Sequence, residues 1–493
     1  MSIKTNYDRW KSDYLPKLKA KLSEGDDAEN SYRTNAIGIQ VNGSTVNLGL
    51  LNHLDKLITI PVFRDDNKSQ PATDEEREQA LDSVFKMVAD IVNAQKNSDS
   101  TVPVSIDISA SGFSISKHPE FFRSKGLAPF KHPNVHYLEN FTVSKIPDGL
   151  NLPQCDYKVG AFINFKQRLE SALGSIPQTK VTYNDESGEQ AITNCAPDSP
   201  VFQINMTTMN DTNTLAFQLG DQLNEGDTVI GVVGGTGFNV GVNKNFNKSA
   251  GSFQQISNLE CGASVLPESD LNDFLSPIDK VKLQAEPNTP PEWFFAGGQE
   301  DQGLVNIAKT LREIFNEYNE QSLQDSDGRS GFELFSEAHA FYIEHSNDTL
   351  VELTKANQVS EFLISLKSGK KISDFPDWLT GSESLTNQLI MNKAQENDPL
   401  ALAMVTDFAK RWGGFIKNRL DSKRLLNGVD NPKCATTGSH LQHLLRIPLA
   451  KKAFAEALGV PEGNLINIEK GEMDGMQAIL KAKIALAKAS APA

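Results

Sequence analysis

The sequence predicts an α/β protein with more than one domain. Its opening carries β signals in the order β-β-β-α-β, with a hairpin pattern about Asn42-Gly43-Ser44 and a helical apolar pattern over residues 81–92. Strand-like and helix-like segments then alternate as far as Gly297, after which the pattern is mostly helical to about Leu426. The 493 residues correspond to about three domains of average size, although two larger domains would also fit.

Each element has its own local signal. Residues 36–51 form two apolar runs about a turn, and Leu57–Phe63 continues as a strand. Thr73 and Glu76 form a capping box that opens a helix, and Thr101–Ser109 is the next strand. Residues 1–33 are expected to form a surface helix or an arm. The remaining expectations are strands at Val135–Thr142, Val201–Met209, Thr228–Val233, Cys434–Gly438 and Leu465–Ile468, an inserted hairpin at Val181–Asn194, helices at Val159–Leu173, Thr214–Leu219, Leu441–Leu458 and Met476–Ala489, and loops at 320–330 and 368–383.

Composition excludes several classes of function. With 48 Lys and Arg against 63 Asp and Glu, the net charge of −15 repels phosphate backbones and anionic lipid, so no nucleic-acid or membrane partner is expected. No apolar run approaches the ~18 residues of a membrane helix, and the N-terminus lacks the apolar core of a secretory signal. The four cysteines, without a CxxC pair, are expected to be free thiols in a reducing, cytoplasmic compartment. His440 and His443 share a helical face, but without a matching carboxylate pattern they do not predict a metal site.

The segment from Phe202 to Val242 is the richest in candidate chemistry. One strand ends in Asn210-Asp211-Thr212, and a second ends in Gly234-Gly235-Thr236-Gly237. Acidic residues at strand ends commonly face the ligand site of an α/β sheet, and a glycine turn lets backbone N–H groups approach a phosphate. Taken singly, the glycines also fit an ordinary tight turn, since no GxGxxG or Walker lysine is present. Asp211 taken singly also fits an N-cap for a helix beginning near Thr214.

The order of these motifs resembles that of the hexokinase and glucokinase sugar kinases, which have the actin-like ATPase fold. The Asn-Asp-Thr strand end is followed by GTG and Asn239, as in that family. The resemblance covers residues 36–300 and 430–490 and leaves 1–33 and 301–429 without a motif. Its other pieces are Val102–Ala110, Phe141-Thr142 with Lys145, Asn258–Ala263, Glu292–Gly297, Thr437-Gly438-Ser439 and Gly475–Ala478.

The resemblance implies a two-lobed fold of the hexokinase type, in which each lobe is a mixed sheet flanked by helices. In this chain it implies an N-terminal helical arm over residues 1–33 and a small lobe over 34–208 that is joined by a C-terminal helix over 476–493. The large lobe would then span 209–475.

The resemblance also implies an enzyme that phosphorylates a hexose at the 6-hydroxyl with ATP and Mg²⁺, with glucose as the expected acceptor. Asp211 would be the general base. Sugar contacts would come from Ser109, Thr142, Lys145, Asn210, Glu260 and Glu292. ATP contacts would come from Gly43, Ser44, Thr45, Gly235, Thr236, Gly237, Asn239, Gly438 and Ser439. The hexose and ATP are the partners implied, and the oligomeric state is left open.

One departure from the family pattern leaves alternatives open. The family's first hairpin reads L-D-x-G-G-T, and its Asp holds magnesium through water; here Gln40 or Val41 occupies that place. A neutral amide is a poorer ligand for a hard cation than a carboxylate, so the metal ligands are unassigned. A catalytically weak or silent sugar-binding pseudokinase is therefore one alternative. A sugar-acid or amino-sugar kinase of the same fold is another.

Overall fold

The computed structural model describes residues 7–23, 36–41, 45–50, 58–61, 74–96, 104–110, 135–138, 161–164, 171–172, 179–184, 190–192, 202–235, 237–249, 251–259, 261–262, 266, 268–287, 289–297, 302–309, 312 and 376–468. They divide into two compact units. The first unit contains the described residues up to Asp227 together with Gly241–Asn258, and the second contains Thr228–Val240 together with the described residues from Leu259 onward. The domain limits expected from the sequence stay predictions.

A seven-stranded mixed sheet forms the centre of the first unit. Its strand order is β3-β2-β1-β4-β9-β7-β8. The first three strands are an antiparallel meander, and β4, β9 and β7 then add in parallel to β1 before β8 closes the edge as a hairpin. The strands are β1 (Ala36–Val41), β2 (Thr45–Leu50), β3 (Ile58–Pro61), β4 (Val104–Ala110), β7 (Thr179–Asn184), β8 (Gln190–Ile192) and β9 (Phe202–Asn210), and a separate antiparallel pair is formed by β5 (Val135–Leu138) and β6 (Ala161–Asn164).

Helices complete the first unit. A π-helical turn, Trp10–Tyr14, leads into α1 (Leu15–Ser23), and α2 spans Asp74–Lys96. The apolar positions of α2 recur at helical spacing and are buried, as the sequence predicts, while Trp10 is fully buried and donates from Nε1 to Asp90 Oδ2 at 3.1 Å. Residues 15–23, within the segment expected to form a surface helix or an arm, are helical. The last helical segment before the second unit is α3 (Asp211–Leu215), which continues as a 3₁₀ turn, Ala216–Gln222.

A second mixed sheet has five strands in the order β12-β11-β10-β13-β14. Strands β11 and β12 pair antiparallel, and β10, β13 and β14 are parallel to one another, so this sheet is also mixed. Its strands are β10 (Val229–Gly234), β11 (Phe238–Asn247), β12 (Ser252–Asn258), β13 (Lys433–Thr437) and β14 (Leu465–Asn467). The predicted α/β class, with mixed sheets and flanking helices, is confirmed.

The helices of the second unit enclose an aromatic core. Phe295 stacks on Phe415 at 5.1 Å between ring centroids, and Phe238 lies edge-on to Trp412 at 5.6 Å. Fully buried aromatic side chains of this size contribute much of a domain's hydrophobic stability. The helices are α4 (Glu268–Leu271), α5 (Pro277–Ala285), α6 (Pro291–Phe295), α7 (residues 303–309), α8 (Asp377–Thr380), α9 (Asn387–Gln395), α10 (Pro399–Ser422), α11 (Ser439–Leu445) and α12 (Pro448–Leu458).

Three of the predicted elements are wrong. The loop expected over 368–383 contains helix α8, Asp377–Thr380, which begins after the extended residue Pro376. The helix expected over Val159–Leu173 contains strand β6, because its residues pair with β5 and tertiary pairing overrides a weak local pattern. The single helix expected over Leu441–Leu458 is two helices, α11 and α12. Pro448 opens the second of them, and proline both lacks an N–H and disfavours a helical conformation in the residue before it, so the chain breaks at Ile447.

The other expectations divide into those that the structure tests and those that it does not. The opening hairpin, the inserted hairpin β7–β8 and the strands β3, β4, β5, β9, β10, β13 and β14 are confirmed. The expected helix Met476–Ala489 and the loop 320–330 lie outside the described residues. Within the described part of the chain, no helix combines the length and apolar character needed to cross a membrane. Of the four cysteines, Cys261 and Cys434 are described, and both are buried free thiols.

Candidate active site

The predicted base, Asp211, begins a helix at the end of a sheet strand. The N-cap of α3 is Asn210. Its Oδ1 accepts one hydrogen bond from the backbone N–H of Thr212 at 2.9 Å and another from the hydroxyl of Thr212. Asp211 is thus the first helical residue, and the alternative in which Asp211 is itself the cap of a helix near Thr214 is wrong. Its Oδ1 also accepts from Thr212 N at 2.8 Å, and its carbonyl accepts from the Thr214 hydroxyl at 2.7 Å.

The protonation of Asp211 is shifted by its surroundings. Burial of the carboxyl raises the pKa of Asp211 to about 6, while hydrogen bonds from backbone N–H groups oppose the shift. The accessible surface of Asp211 as a whole residue is intermediate between buried and exposed. A carboxylate with a pKa near 6 is ionised at neutral pH yet basic enough to take up a proton, which is the property of a general base.

The register of the first sheet aligns the carboxyl ends of three strands. Val41 pairs with Ala110, and Ala110 pairs with Asn210, so β1, β4 and β9 reach the same level at their carboxyl ends. Ser109, a predicted sugar contact, lies one residue before the end of β4 and is paired with Gln40 and Met209. Strand ends of this kind surround the ligand site in parallel α/β sheets.

Within the second unit, three glycine segments come together. The turn after β10 is closed by a hydrogen bond from Gly235 N to Gly237 O at 2.8 Å, and Gly297 N donates to Gly235 O at 3.0 Å. Gly438 follows β13 with φ at +98°, and a Cβ there would lie 2.3 Å from Gly234 O. Only glycine fits so close an approach of backbones, so the glycines at these positions keep the three segments in contact.

Two aromatic side chains, Trp412 and His440, pack directly against the glycine segments. A Cβ at Gly234 would lie 2.5 Å from the Trp412 ring, and a Cβ at Gly297 would lie 2.4 Å from Nδ1 of His440. His440 is 5% exposed and packs against Phe408 and Trp412 at 5.7 and 5.8 Å between ring centroids. Burial, with a smaller contribution from the charge of His443, lowers the pKa of His440 to about 3, so the imidazole is neutral and acts as packing.

Of the two predicted sugar-side glutamates, the structure describes Glu292. Glu292 is the second residue of α6, and its N–H donates to Gly262 O at 2.9 Å, which joins α6 to the Cys261-Gly262 turn. A Cβ at Gly262 would meet Phe238 O at 2.0 Å, so this turn is pressed against the start of β11. Glu260 lies outside the described residues, between Leu259 and Cys261.

Other predicted residues are placed only in part. Asn239 is buried, and its Oδ1 accepts from Val240 N at 2.7 Å. Ser439 opens α11 on the exposed surface, and Thr45 is the first residue of β2. The remaining predicted contacts lie outside the described residues; they are Gly43, Ser44, Thr142, Lys145 and Thr236.

The described residues do not fit a protein-held magnesium site. Among them, no group of three His, Cys, Asp or Glu side chains could hold a metal ion. Strand β1 carries Gln40 and Val41 where the resemblance implies the magnesium carboxylate. Hard cations prefer charged oxygen ligands, so no chemical step is derived through a metal held by these side chains.

Comparisons with known proteins give structural neighbours only. Neither a protein-family model nor a curated protein sequence matches the chain. Among solved structures it is similar to a ROK hexokinase from Thermus thermophilus, at 13% identity over 92% of this chain and 99% of that chain with a TM-score of 0.39. It is also similar to a glucokinase from Balamuthia mandrillaris in complex with glucose, at 10% identity over 96% and 98% of the two chains with a TM-score of 0.43.

A third neighbour is a ROK family glucokinase from Streptomyces griseus in complex with glucose and AMPPNP, at 12% identity over 91% and 97% of the chains with a TM-score of 0.37. The chain resembles sugar kinases. The α/β assignment rests on the strand order and directions of the two sheets.

Several residues of the site have no sequence signal. Asn213 and Asn243 are 30 residues apart and form a buried amide pair beside Asp211, and no spacing rule connects them. His440 and Trp412 come from separate helices and meet the glycine turns only in the folded chain. Gly297 ends the Glu292–Gly297 motif, but the imidazole that requires glycine there comes from His440, on a separate helix.

Proposed function

We propose that this chain phosphorylates a hexose, with glucose as the acceptor, at the 6-hydroxyl using ATP. The observation that carries the proposal is the position and protonation of Asp211. Asp211 directly follows the carboxyl end of the parallel strand β9, and burial raises the pKa of Asp211 to about 6. The motif order in the sequence and the converging glycine segments of the second unit support the same assignment.

The reaction needs a base for one proton. The oxygen of the sugar 6-hydroxyl forms a bond to the γ-phosphorus of ATP as the bond between that phosphorus and the β,γ-bridging oxygen breaks. Asp211 takes the hydroxyl proton, so the products are hexose 6-phosphate and ADP. A base placed in this way contributes ~10²–10⁴ in rate.

The remaining groups act by binding and orientation. The turn from Gly235 to Gly237 and the Gly438-Ser439 segment are proposed to bind the ATP phosphates through main-chain groups. Asn210, Glu260 and Glu292, with Ser109, Thr142 and Lys145, are proposed to bind the sugar hydroxyls. Carboxylates suit this task because each oxygen accepts more than one hydrogen bond. Magnesium is proposed to enter with the nucleotide as Mg–ATP, and the cytoplasm is the proposed compartment.

The proposal is tested by coupled measurement of ADP formation from Mg–ATP, with and without glucose. Glucose-dependent ADP formation that is lost in Asp211→Asn supports the assignment, because this change keeps the shape of the side chain and removes the base. A panel containing mannose, N-acetylated hexosamines and sugar acids identifies the acceptor. If none of these sugars stimulates ADP formation, a sugar kinase function is refuted.

A sugar-binding protein without turnover is the second candidate, and the neutral residues in β1 favour it. Gln40 and Val41 supply no carboxylate for the metal. Calorimetric binding of glucose together with absent ADP formation would identify this candidate. Gln40→Asp and Val41→Asp would then be expected to raise turnover if the missing carboxylate is the only defect.

A further inference from the structure

The first turn of α3 is attached to two strands by a buried pair of asparagines. Nδ2 of Asn213 donates to Oδ1 of Asn243 at 2.6 Å and to the carbonyl of Ser257 at 3.1 Å. In return, Nδ2 of Asn243 donates to the backbone carbonyl of Asn213 at 2.8 Å. Asn243 belongs to β11 and Ser257 to β12, so both the side chain and the main chain of Asn213 are held from the same side.

A close backbone approach reinforces this attachment. A Cβ at Gly241 of β11 would lie 2.4 Å from Oγ1 of Thr212 and 2.7 Å from Nδ2 of Asn213. The strand therefore lies directly against the two residues that follow Asp211, with no room for a side chain between them. Movement of the turn toward the strand is blocked by contact, and movement away from it breaks the amide pair.

The asparagine pair is buried away from solvent. Asn213 and Asn243 are each 1% exposed, and Thr212 is fully buried. Replacing both partners of a buried hydrogen bond by apolar groups can be nearly neutral, whereas a polar pair has only one satisfied arrangement. The pair therefore specifies the position of the turn more strictly than an apolar contact would.

We propose that Asn213 and Asn243 are positioning residues that fix the turn carrying Asp211 against β11 and β12. The inference rests on the proposed function, because it assigns the purpose of that position to proton transfer from the sugar. Asp211 is two residues before Asn213, and its carbonyl and carboxylate are tied into the same turn through Thr214 and Thr212. A displacement of about 1 Å in such a turn can cost about 10² in rate.

The test compares two variants, Asn243→Ala and the double variant Asn213→Ala/Asn243→Ala, with the wild-type protein. The positioning role predicts a fall in kcat of about hundredfold with the KM for glucose changed less than about threefold, since alignment rather than binding is lost. The matched control is Asn306→Ala, which removes an amide that donates to Asp279 Oδ1 at 3.3 Å within the second unit. The control is expected to keep kcat within about threefold at a similar loss of stability.

A second readout separates this inference from the proposed function. In protein labelled with carbon-13 at aspartate carboxyls, with Asp211→Asn for assignment, the pKa of Asp211 is expected to fall toward its ordinary value in Asn243→Ala, because a loosened turn admits water. An unchanged kcat in active protein, or an unchanged pKa of Asp211, would overturn the positioning role. If the wild-type protein forms no ADP with any sugar, the proposed function fails, and the carboxyl titration alone decides the positioning.

Discussion

Replacing Asp211 by asparagine is expected to stabilise the folded protein while removing the proposed base. The pKa of Asp211 is raised from 3.8 to about 6 by burial, a difference of about 2 units, and each unit corresponds to about 1.4 kcal/mol. The upper bound on the penalty for ionising Asp211 is therefore about 3 kcal/mol. Because the side chain is partly exposed, solvent screening reduces the penalty, and we expect about 1–3 kcal/mol.

The sign of the pH dependence follows from the raised pKa. The folded state binds more protons than the unfolded chain between pH 3.8 and about 6, so this group's contribution to stability is lost as the pH rises through that window. Asp211→Asn should unfold at higher urea concentration than the wild type at pH 8, and the two proteins should converge near pH 4. Asp430→Asn, at an exposed position, is the control and should match the wild type at both pH values. A variant that is no more stable than the wild type at pH 8 would refute the reasoning.

Three further perturbations test the packing of the structure by urea unfolding. Gly297→Ala places a methyl group 2.4 Å from Nδ1 of His440, so we expect a loss of about 1–3 kcal/mol that His440→Ala in the same chain restores; no rescue would contradict the contact. Arg411→Met removes ion pairs with two buried carboxylates, Asp407 at 2.8 Å and Asp279 at 3.4 Å. It should cost about 3–5 kcal/mol at neutral pH, whereas no loss would show that both carboxylates are satisfied without Arg411. Trp10→Ala should cost about 3–5 kcal/mol because the indole is fully buried, and an unchanged midpoint would contradict the docking of the N-terminal helix.

The elements with strong local signals could be predicted from the sequence. The opening hairpin, the helix after Thr73 and the strand before Asp211 each combine a clear period with a cap or turn residue. The segment Ala161–Asn164 could not be predicted, because its strand conformation comes from pairing with β5. The break before Pro448 could have been predicted, since proline at that place ends the preceding helix.

Only those residues of the candidate site that belong to a local sequence pattern could be predicted. Asp211 can be predicted because a carboxylate at the end of a strand is a local pattern. Its raised pKa depends on burial, which is a property of the folded chain. Asn213 and Asn243 cannot be predicted, because their pairing depends on how β11 and β12 pack against α3, and an isolated asparagine carries no signal of a partner 30 residues away.

The pH dependence of kcat/KM for glucose tests the central claim, that Asp211 is the general base, most directly. The account predicts that kcat/KM falls about tenfold per pH unit below a midpoint near 6, as protonation removes the base, and that Asp211→Asn lowers kcat by ~10²–10⁴ at pH 8. A rate that stays level down to pH 5, or an Asp211→Asn protein within tenfold of wild-type activity, would contradict it.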